Sequence, residues 1–428
     1  MTNNICIIGL GYVGLPLALA FSKKYHVTGF DINESRIQEL HTGYDRNFES
    51  NAREIIDNPL LKMSSNPDDI GDANTYIITV PTPIDLNKKP DLEPLKNASI
   101  LVAKVLNIHD IVIYESTVFP GCTEEFCVPV LEKFSNLTYN KDFYCGYSPE
   151  RINPGDKKNT LTSIKKITSG SNEDTAKKVN NLYLSIIDAG THLAPSIKVA
   201  EAAKVIENTQ RDMNIAIINE FSMIFEKLDI NTKEVLDAAS TKWNFLPFTP
   251  GMVGGHCIGV DPYYLINRSI ESGYYPELLI AGRQINDNMP TYIANKILNA
   301  LIKSNQKLSD LTVGIMGISF KANTPDTRNT KVIELIREIE SWGSEVIICD
   351  HVASKESVLK EFSIKLEDNL NPSSCDVIVM AVSHNHFLEM GLEKIQRIFK
   401  PGANLLVDIN SVYSHDAADK LNMNILSL

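Results

Sequence analysis

Residues 4–14 read NICIIGLGYVG, a short apolar run followed by glycines at positions 9, 11 and 14 in the spacing G-x-G-x-x-G. The apolar run is typical of a buried strand, and the residues after it have a helical pattern. In such a strand–turn–helix unit Gly9 allows the tight turn, Gly11 lets the backbone approach a pyrophosphate, and Gly14 lets the helix pack on the sheet. The stretch therefore predicts a Rossmann-like unit that binds a dinucleotide at a helix N-terminus.

Asp31 stands near the end of the next predicted strand, HVTGFDI, at residues 26–32. A carboxylate here accepts hydrogen bonds from the adenine ribose and repels a 2′-phosphate, so the sequence predicts NAD rather than NADP. Arg36, five residues further on, weakens this preference because an arginine can hold a 2′-phosphate. The other predicted cofactor contacts lie in the glycine turn or at the carboxyl ends of later strands: Tyr12, Val13, Thr82 and Thr117. For each of the two threonines, a solvated loop position is an alternative.

The pattern of elements changes twice along the chain. Short strands alternate with helices at both ends, which predicts parallel sheets covered by helices on both faces. From Ser196, about thirty residues contain neither Gly nor Pro and carry apolar residues at three- and four-residue steps, which predicts one long amphipathic helix. The predicted fold is α/β, with two Rossmann-like parallel-sheet domains joined by a long central helix. The predicted domains are 1–195, 196–304 and 305–428.

Individual elements are predicted from periodicity and from end signals. The predicted strands are 4–10, 26–32, 75–83, 110–117, 142–150, 311–319, 344–350, 375–383 and 404–409. Outside the long helix, the clearest predicted helices are Gly14–Tyr25, 33–43 with a stop at Gly43, and 329–343 with Asn329 or Thr330 as its cap.

The composition narrows the class of protein. The 428 residues are 43% hydrophobic and 22% charged, which is typical of globular proteins. A net charge of −12 argues against a nucleic-acid surface, although local cations can still hold an anionic substrate. Seven scattered cysteines favour free thiols in the cytoplasm over a disulfide framework, and we expect no metal site. Because no uncharged apolar stretch reaches about 18 residues and the N-terminus lacks a basic region, we expect neither a membrane span nor a signal peptide.

The string GGHCIGVD at residues 254–261 places a thiol among three glycines. A thiolate is a strong nucleophile that can add to an aldehyde, and the adduct can lose a hydride to give a thioester that water hydrolyses to an acid. A small buried cysteine is the alternative, but the glycine-rich setting and Asp261 four residues later favour Cys257 as a nucleophile. His256 could tune the thiol, contact a substrate or be structural.

Lys204, Asn208 and Arg211 fall at i, i+4 and i+7 of the predicted long helix and so share a face. An ammonium and an amide could serve there as the base and the oxyanion stabiliser of an oxidation. The alternative is an ordinary charged surface in which Glu201 and Glu207 pair with these cations.

Charged pairs also follow predicted strands elsewhere. Glu150 could position or activate water, and Arg151 could contact a phosphate or a sugar. Lys321 and Arg328 stand seven residues apart in a strand-to-helix loop, a spacing that suits diphosphate or ribose contacts. In each case a solvated ion pair is the alternative.

Seven strings, in this order along the chain, resemble the UDP-glucose/GDP-mannose dehydrogenase family over essentially its whole length: IIGLGYVGLPLA, TVPTP, ESTVFPG, SPERINPGD, KVAEAAKVIENTQRDMNIAIINE, GGHCIGVDPYYL and GISFKANTPDTRNT. The chain resembles in particular the bacterial branch that oxidises UDP-N-acetylhexosamines, of the kind that acts on UDP-N-acetylglucosamine for Vi-antigen and capsule sugars. This resemblance implies an NAD-dependent, four-electron oxidation of C6 for capsule or O-antigen polysaccharide, in a homodimer built on the long helix.

The resemblance also implies roles for single residues. Cys257 would be the nucleophile and Lys204 its acid–base and oxyanion partner, with help from Asn208 and from Asp261, which would orient or activate water. Glu150 and Thr117 would lie near the water and the nicotinamide, and Arg328 would contact the cofactor. The implied substrate-binding residues are Arg151, Ile152, Lys204, Asn208, Arg211, Gly254, His256, Phe320 and Lys321.

Two departures bear on the substrate. In the segment before the nucleophile, the UDP-glucose branch has an arginine that reaches the neighbouring subunit's substrate, whereas Lys242 is the nearby cation here. GGHC in place of GGSC also points away from that branch. UDP-N-acetylgalactosamine, UDP-N-acetylmannosamine and UDP-glucose stay open as substrates. A two-electron dehydrogenase of the hydroxyacid type and an inactive sugar-nucleotide sensor are two further hypotheses for the function.

Overall fold

The computed structural model describes residues 4–46, 52–85, 87–152, 159–255, 257–303 and 307–428. The chain divides into two compact units. The first contains the chain up to Glu207 together with Tyr263–Tyr275, and the second contains Asn208–Pro262 and Pro276–Leu428. The predicted boundaries after residues 195 and 304 stay a prediction. His256, a predicted substrate contact, lies outside the described residues.

The first unit is built on a sheet of eight strands: β1 (Asn4–Ile8), β2 (His26–Phe30), β3 (Leu61–Ser64), β4 (Thr75–Ile78), β5 (Ile111–Tyr114), β6 (Tyr144–Tyr147), β7 (Lys166–Gly170) and β8 (Thr191–Leu193). Their order is β3-β2-β1-β4-β5-β6-β7-β8. The strands β1 to β6 are parallel, whereas β7 pairs antiparallel with β6 and parallel with β8. The order of the six parallel strands is that of a Rossmann sheet, with its switch point between β1 and β4.

In the described part of the chain before residue 196 the helices are α1 (Gly14–Phe21), α2 (Glu34–His41), α3 (Ala52–Ile56), α4 (Glu93–Ala103), α5 (Val128–Ser135) and α6 (Glu173–Leu184). A 3₁₀ turn at Pro67–Ile70 and a π turn at Thr123–Cys127 complete it. Both faces of the sheet are buried, as alternation along β1 shows: Cys6 and Ile8 join the core with α4 and α5, while Ile5 and Ile7 join the core with α1, α2 and α6.

The middle of the chain is helical, as predicted. α7 (Ile197–Lys227) is 31 residues long, begins in the first unit and ends in the second. It is followed by α8 (Thr232–Ala239), α9 (Asp261–Glu271) and α10 (Glu277–Lys303). None of the helices within the described ranges is long and apolar enough to cross a membrane.

The second sheet repeats the order of the six parallel strands of the first. Its strands are β9 (Thr312–Met316), β10 (Glu345–Cys349), β11 (Leu366–Glu367), β12 (Val377–Met380), β13 (Leu405–Asp408) and β14 (Asn424–Ser427). The order β11-β10-β9-β12-β13-β14 is parallel throughout. Its helices are α11 (Val332–Ser341), α12 (Lys355–Phe362), α13 (Asn385–Gln396) and α14 (His415–Asp419), after a 3₁₀ turn at Leu308–Asp310. The prediction of two Rossmann-like sheets and a long helix is confirmed.

Several element ends differ from the predictions. The predicted strand 75–83 ends at Ile78, because the prolines at 81 and 83 have no N–H to continue the ladder. The strands β3, β7, β8, β11 and β14 were not predicted. Neither predicted cap of α11 is correct, because the residue at its N-cap is Lys331, without a side-chain cap bond. Thr330, one residue earlier, accepts the Val332 N–H at 3.3 Å, and Asn329 is left-handed at φ +52°. The predicted helix Gly14–Tyr25 ends at Phe21.

Candidate active site

The glycine turn after β1 has the geometry of a dinucleotide cradle. Gly9 has φ +98°, and a Cβ on Gly14 would stand 1.8 Å from the Gly9 carbonyl oxygen, so the turn closes only with glycine at both places. A Cβ on Gly11 would meet nothing within 4 Å, which leaves open space over the turn where a pyrophosphate fits. Tyr12 and Val13 follow, half-buried, at the start of α1.

Asp31 lies at the carboxyl end of β2, beside the turn. Its Oδ2 accepts the Leu10 N–H at 2.8 Å and its Oδ1 accepts the Asn33 N–H at 2.9 Å. The carboxylate is half-buried, so its remaining lone pairs can accept ribose hydroxyls. Arg36 is buried and donates to the Leu10 carbonyl at 2.9 Å and to Asp45 at 2.7 Å. The guanidinium of Arg36 is thus bonded within the protein, and its predicted contact with the cofactor stays a prediction.

The two predicted threonines meet at the carboxyl edge of the first sheet. The Thr82 hydroxyl, after β4, donates to the Thr117 carbonyl, after β5, at 2.7 Å. This bond joins two neighbouring strand ends on the side of the sheet where ligands of open α/β sheets bind.

Glu150, after β6, belongs to a buried charge cluster. Its Oε2 accepts from the Lys166 ammonium at 3.0 Å, and the same ammonium donates to Glu115 at 2.7 Å. Tyr183 donates its hydroxyl to the other oxygen of Glu115. Burial raises the pKa of Glu115 to about 7, against the opposing attraction of Lys166. The neighbouring Arg151 pairs with Glu207 at 2.8 Å.

Glu201, on α7, fixes the loop after β5 rather than pairing with the cations of its own helix. Its two carboxylate oxygens accept the N–H groups of Gly121 and Thr123 at 2.5 and 2.9 Å. These donors lie at the start of the π turn that leads into α5, where an anion is favoured. Burial raises the pKa of Glu201 to about 7.

Along α7 the predicted polar face is only partly buried. Lys204 and Asn208 are 7% and 6% exposed, whereas Arg211 is exposed. Each residue turns a helix by about 100°, and the buried polar side is centred nearer to Asn208 and Asp212. Arg211 therefore lies at the margin of this face, on the solvent side.

In the second unit the nucleophile loop turns directly into α9. The N–H groups of Val260 and Asp261 donate to the Cys257 carbonyl at 3.1 and 2.8 Å. Asn208 donates to the buried Asp261 carboxylate at 2.5 Å, so two predicted catalytic side chains are in contact. Cys257 is half-buried, whereas the other six cysteines are buried.

The glycines of this loop are required by close packing on the loop after β9. A Cβ on Gly254 would stand 2.9 Å from the Asn329 carbonyl oxygen, and one on Gly255, where φ is +85°, would stand 2.8 Å from the Phe320 ring. The structure therefore brings Gly254 and Phe320 together. A cavity of about 270 Å³ adjoins them, and Lys321 and Ser383 help to line it at the carboxyl edge of the second sheet.

The remaining predicted contacts are also placed by the fold. Ile152 is half-buried, and Lys321 and Arg328 are exposed. Arg328 forms an ion pair with Asp326 at 2.5 Å. The first unit contains Glu150, Arg151, Thr117 and Lys204, and the second contains Cys257, Asn208, Asp261, Arg211, Gly254, Phe320, Lys321 and Arg328. Within the described ranges, no cluster of His, Cys, Asp or Glu suits a metal ion.

The family follows from comparison with known proteins. Residues 3–187, 198–288 and 314–415 match, in turn, the NAD binding, central and UDP binding domains of the UDP-glucose/GDP-mannose dehydrogenase family. The chain belongs to this family. It is an NAD-dependent UDP-sugar dehydrogenase, and its glycine turn and Asp31 fit that cofactor.

Individual relatives cover nearly the whole chain. A UDP-N-acetyl-D-glucosamine 6-dehydrogenase of Salmonella typhi is 52% identical over 97% of this chain and 98% of its own. One of the same description from Pseudomonas aeruginosa is 51% identical over the same shares. Among solved structures, a UDP-D-ManNAc dehydrogenase of Pyrococcus horikoshii is 30% identical, with a TM-score of 0.89 over 99% of this chain and 98% of that one.

Some residues of the site were missed from the sequence. Glu115 stands inside the string ESTV and Lys166 inside IKKITSG, but the strand pattern does not tell which of two adjacent lysines is buried. Asn219 is fully buried on α7 and binds the Gly251 backbone through both its amide atoms, at 2.8 and 3.0 Å. Asn219 could have been found from the sequence, because it is a polar residue on the apolar side of the predicted helix.

Proposed function

We propose that this enzyme oxidises the C6 alcohol of UDP-N-acetylglucosamine to the carboxylate, with Cys257 holding the intermediate. The observation that carries the proposal is the contact of Asn208 with Asp261, whose N–H bonds to the carbonyl of Cys257, the one half-buried cysteine of the seven. The substrate is inferred from two relatives of that description, at 52% and 51% identity over 97% of this chain.

The overall reaction converts R–CH₂OH, water and two NAD⁺ into R–COO⁻, two NADH and three protons. When bound, NAD would supply the hydride acceptor for each of the two oxidations. In the first, the alcohol loses its proton to a base and becomes an aldehyde. The Cys257 thiolate then bonds to the aldehyde carbon, and the resulting thiohemiacetal is oxidised to a thioester. Water finally attacks the thioester carbon, the carbon–sulfur bond breaks, and the thiolate is released.

Lys204 and Asn208 are assigned to the oxygen of the reacting carbon. Lys204 takes the alcohol proton and then stabilises the oxyanion of the adduct, and the Asn208 amide assists. Asp261, held by Asn208, orients water. Both side chains on α7 are nearly fully buried, which suits preorganised groups in a site that excludes solvent.

Glu150 is assigned to hydrolysis of the thioester. Its Oε1 accepts the N–H groups of Arg151 and Ile152 at 2.5 and 2.6 Å, and its Oε2 accepts from Lys166, so its carboxylate is fixed in direction. A fixed carboxylate can take the proton of an attacking water.

The phosphates and the sugar of the substrate are proposed to bind to arginine and lysine side chains and to the loops around Gly254 and Phe320. The residues proposed for the substrate are Arg151, Ile152, Arg211, Gly254, His256, Phe320 and Lys321. Thr82, Thr117 and Arg328 are proposed to contact the cofactor, with Asp31 on the adenine ribose. Arg36 is proposed only as a support of that turn, because its guanidinium is bound internally.

We also propose a homodimer through α7. Ile217, Phe221 and Ile224 follow one another at i, i+4 and i+7 and are 43%, 41% and 45% exposed, and Leu228 continues the line at 60%. We name these four residues the α7 stripe. Apolar side chains in this spacing form the contact seam of paired helices. The compartment we propose is the cytoplasm, which suits seven free thiols, and the product is proposed to supply cell-surface polysaccharide.

The test is the count of NADH formed per sugar with UDP-N-acetylglucosamine, UDP-N-acetylgalactosamine, UDP-N-acetylmannosamine and UDP-glucose. We expect two NADH per sugar and the highest kcat/KM with UDP-N-acetylglucosamine. One NADH per sugar would contradict the four-electron chemistry. A higher kcat/KM for another sugar would contradict the substrate alone.

A further inference from the structure

Lys166 is a buried cation placed between two buried carboxylates. It opens β7, and its side chain is 3% exposed; the side chains of Glu115 and Glu150 are 0% and 10% exposed. Its ammonium lies 2.7 Å from Glu115 and 3.0 Å from Glu150. All three residues belong to the first unit. One positive charge therefore faces two acids in a place that water hardly reaches.

The remaining contacts of the cluster come from α6 and from the backbone that follows β6. Glu115 follows β5 and accepts the Tyr183 hydroxyl from α6, and Glu150 follows β6 and accepts two backbone N–H groups. The Lys166 ammonium also lies 5.5 Å from the centre of the Tyr183 ring. Each acid thus has its own neutral donors, and the two acids share one cation.

The charge count has a chemical consequence. A buried charge is costly unless it is paired, so one ammonium cannot fully compensate two carboxylates. The acid with the less favourable surroundings then keeps a proton near neutral pH. That acid is Glu115, because burial raises its pKa to about 7.

We propose that Lys166 is a positioning residue for Glu150, and that Glu115 controls through this shared ammonium how readily Glu150 takes the proton of the attacking water. The inference rests on the proposed role of Glu150 in thioester hydrolysis. When Glu115 is protonated, Lys166 serves Glu150 alone and holds its negative charge firmly. When Glu115 is ionised, the ammonium is shared, and Glu150 becomes the stronger proton acceptor.

The first experiment separates hydrolysis from oxidation by stopped-flow measurement of NADH with UDP-N-acetylglucosamine. In Lys166→Met we expect a burst of two NADH per site at a rate close to that of the wild type. The steady state that follows should be slower by about tenfold or more, since hydrolysis has lost an oriented base. Lys166→Arg keeps the cation and should recover most of the steady rate. Lys165→Met, at the exposed neighbouring lysine, is the matched control and should behave as wild type.

The second experiment uses Glu115→Gln, which removes the competing charge and keeps the ammonium. Rapid quenching measures the rate at which protein-bound sugar is released between pH 6 and 8. In the wild type this rate should rise through about pH 7, where Glu115 ionises. In Glu115→Gln the rise should be absent and the NADH burst unchanged. This variant also decides the question if Lys166→Met does not fold.

The outcomes distinguish the inference from the function on which it rests. A slow steady state in Glu150→Gln together with wild-type behaviour of Lys166→Met would overturn the inference and leave the proposed function standing. Rapid hydrolysis in Glu150→Gln would overturn the proposed role of Glu150 itself. If Lys166→Met slows the burst and the steady state equally, or Lys166→Arg recovers neither, Lys166 is only structural. An unaltered pH profile in Glu115→Gln would also overturn the inference.

Discussion

Cysteine side chains of this chain differ in burial, and burial decides which thiol can act as a nucleophile. Cys257 is half-buried in a turn, whereas Cys6 and Cys349 are buried in strands of the two sheets. Burial raises the pKa of Cys349 to about 12 and raises that of Cys6 further. A thiol of that kind is almost never ionised at neutral pH, and the thiolate is the nucleophile. Of these three thiols, Cys257 alone combines exposure with a loop that a ligand can approach.

Replacing this thiol should stop turnover. We expect Cys257→Ala to lower the steady rate of NADH formation by about 10³-fold or more, because loss of a covalent nucleophile removes the thioester route. Cys349→Ala is the control and should keep the rate within a few-fold while lowering the melting temperature slightly. NADH absorbance measures both. Full activity of Cys257→Ala would contradict covalent catalysis.

The preference between cofactors should depend on the carboxylate at the end of β2. Asp31→Asn removes the charge that repels a 2′-phosphate, so we expect the ratio of kcat/KM for NAD to that for NADP to fall by about tenfold or more. Glu34→Gln, at an exposed acid in the first turn of α2, should leave the ratio unchanged. The assay is initial velocity with each cofactor, and an unchanged ratio in Asp31→Asn would remove Asp31 from the ribose site.

Predictability from sequence differs among these residues for a physical reason. Gly9 and Cys257 are readable because a motif fixes both their spacing and their chemistry. Lys166 is not, because its burial depends on β7 pairing antiparallel with β6, a long-range choice that no local period records. Arg36 was predicted at the cofactor because it stands five residues after Asp31 in the sequence. In the structure its guanidinium donates to Asp45 and to the Leu10 carbonyl, and the cofactor contact stays a prediction.

At the scale of elements, α7 presents two different surfaces. One side carries buried polar groups, among them Lys204, Asn208 and Asn219, and the other carries the α7 stripe of exposed apolar residues. Two of the buried amides on the first side hold loops, since Asn208 bonds to Asp261 and Asn219 bonds to the Gly251 backbone. The second side has the spacing that paired helices use.

A charge placed in the α7 stripe should separate the proposed dimer. We expect Ile224→Glu to halve the molar mass in sedimentation at micromolar concentration, since an unpaired carboxylate in an apolar seam is costly. Leu359→Glu makes the same change at an exposed leucine of α12, 55% exposed, and should leave the mass unchanged. A monomeric wild type, or an Ile224→Glu variant that stays dimeric, would contradict this use of the stripe.

The elements that sequence predicts best are those with a long period or a strong motif. α7 is predicted almost to its ends because thirty-one residues repeat one pattern, and β1 is predicted because glycines mark where it stops. The edge strand β8 is not, because its burial is poor and its three residues carry no alternation. Strand ends at the carboxyl edge are predicted too long: the predicted strand 110–117 ends at Tyr114 and the predicted strand 142–150 ends at Tyr147.

In the whole molecule, the first strand of each sheet is followed by the same glycine turn and is held by an aspartate from the neighbouring strand. Gly317, after β9, has φ +90° and donates to the Cys349 carbonyl at 2.8 Å, as Gly9 donates to the Phe30 carbonyl at 2.7 Å. Asp350 accepts the Ile318 N–H at 2.7 Å, as Asp31 accepts that of Leu10.

The two aspartates nevertheless have different surroundings. Asp350 is buried and bonded to His384 at 3.0 Å, and although burial opposes it, this bond holds the pKa of Asp350 below its usual range. The position that we propose for ribose binding in the first sheet is therefore bonded to a buried histidine in the second.

Global stability should depend on pH through acids that are buried in the fold. The pKa of Glu201 rises from 4.5 to about 7 because burial penalises its charge, and Glu115 and Asp212 shift in the same direction, to about 7 and about 6. The folded chain then binds these protons more tightly than the unfolded chain. The stabilising contribution of the two glutamates is complete below about pH 4.5 and is lost as the pH rises through about 7. That of Asp212 is complete below about pH 3.8 and is lost as the pH rises through about 6.

We therefore expect the melting temperature to fall between about pH 5 and 8, and to fall less in Glu201→Gln, which resembles the protonated form. Glu220→Gln, at an exposed acid of the same helix, is the control and should follow the wild type. Differential scanning calorimetry at constant ionic strength measures the three curves. An equal slope in Glu201→Gln would show that Glu201 does not titrate in this range.

The central claim is that the sugar is bound covalently to Cys257 during turnover, and mass spectrometry of the acid-quenched enzyme tests it most directly. With NAD and UDP-N-acetylglucosamine, the Glu150→Gln variant should gain the mass of one acyl group from the sugar nucleotide per chain, and peptide mapping should place it on Cys257. The formation of two NADH per sugar without any adduct, or an adduct on another residue, would contradict the claim.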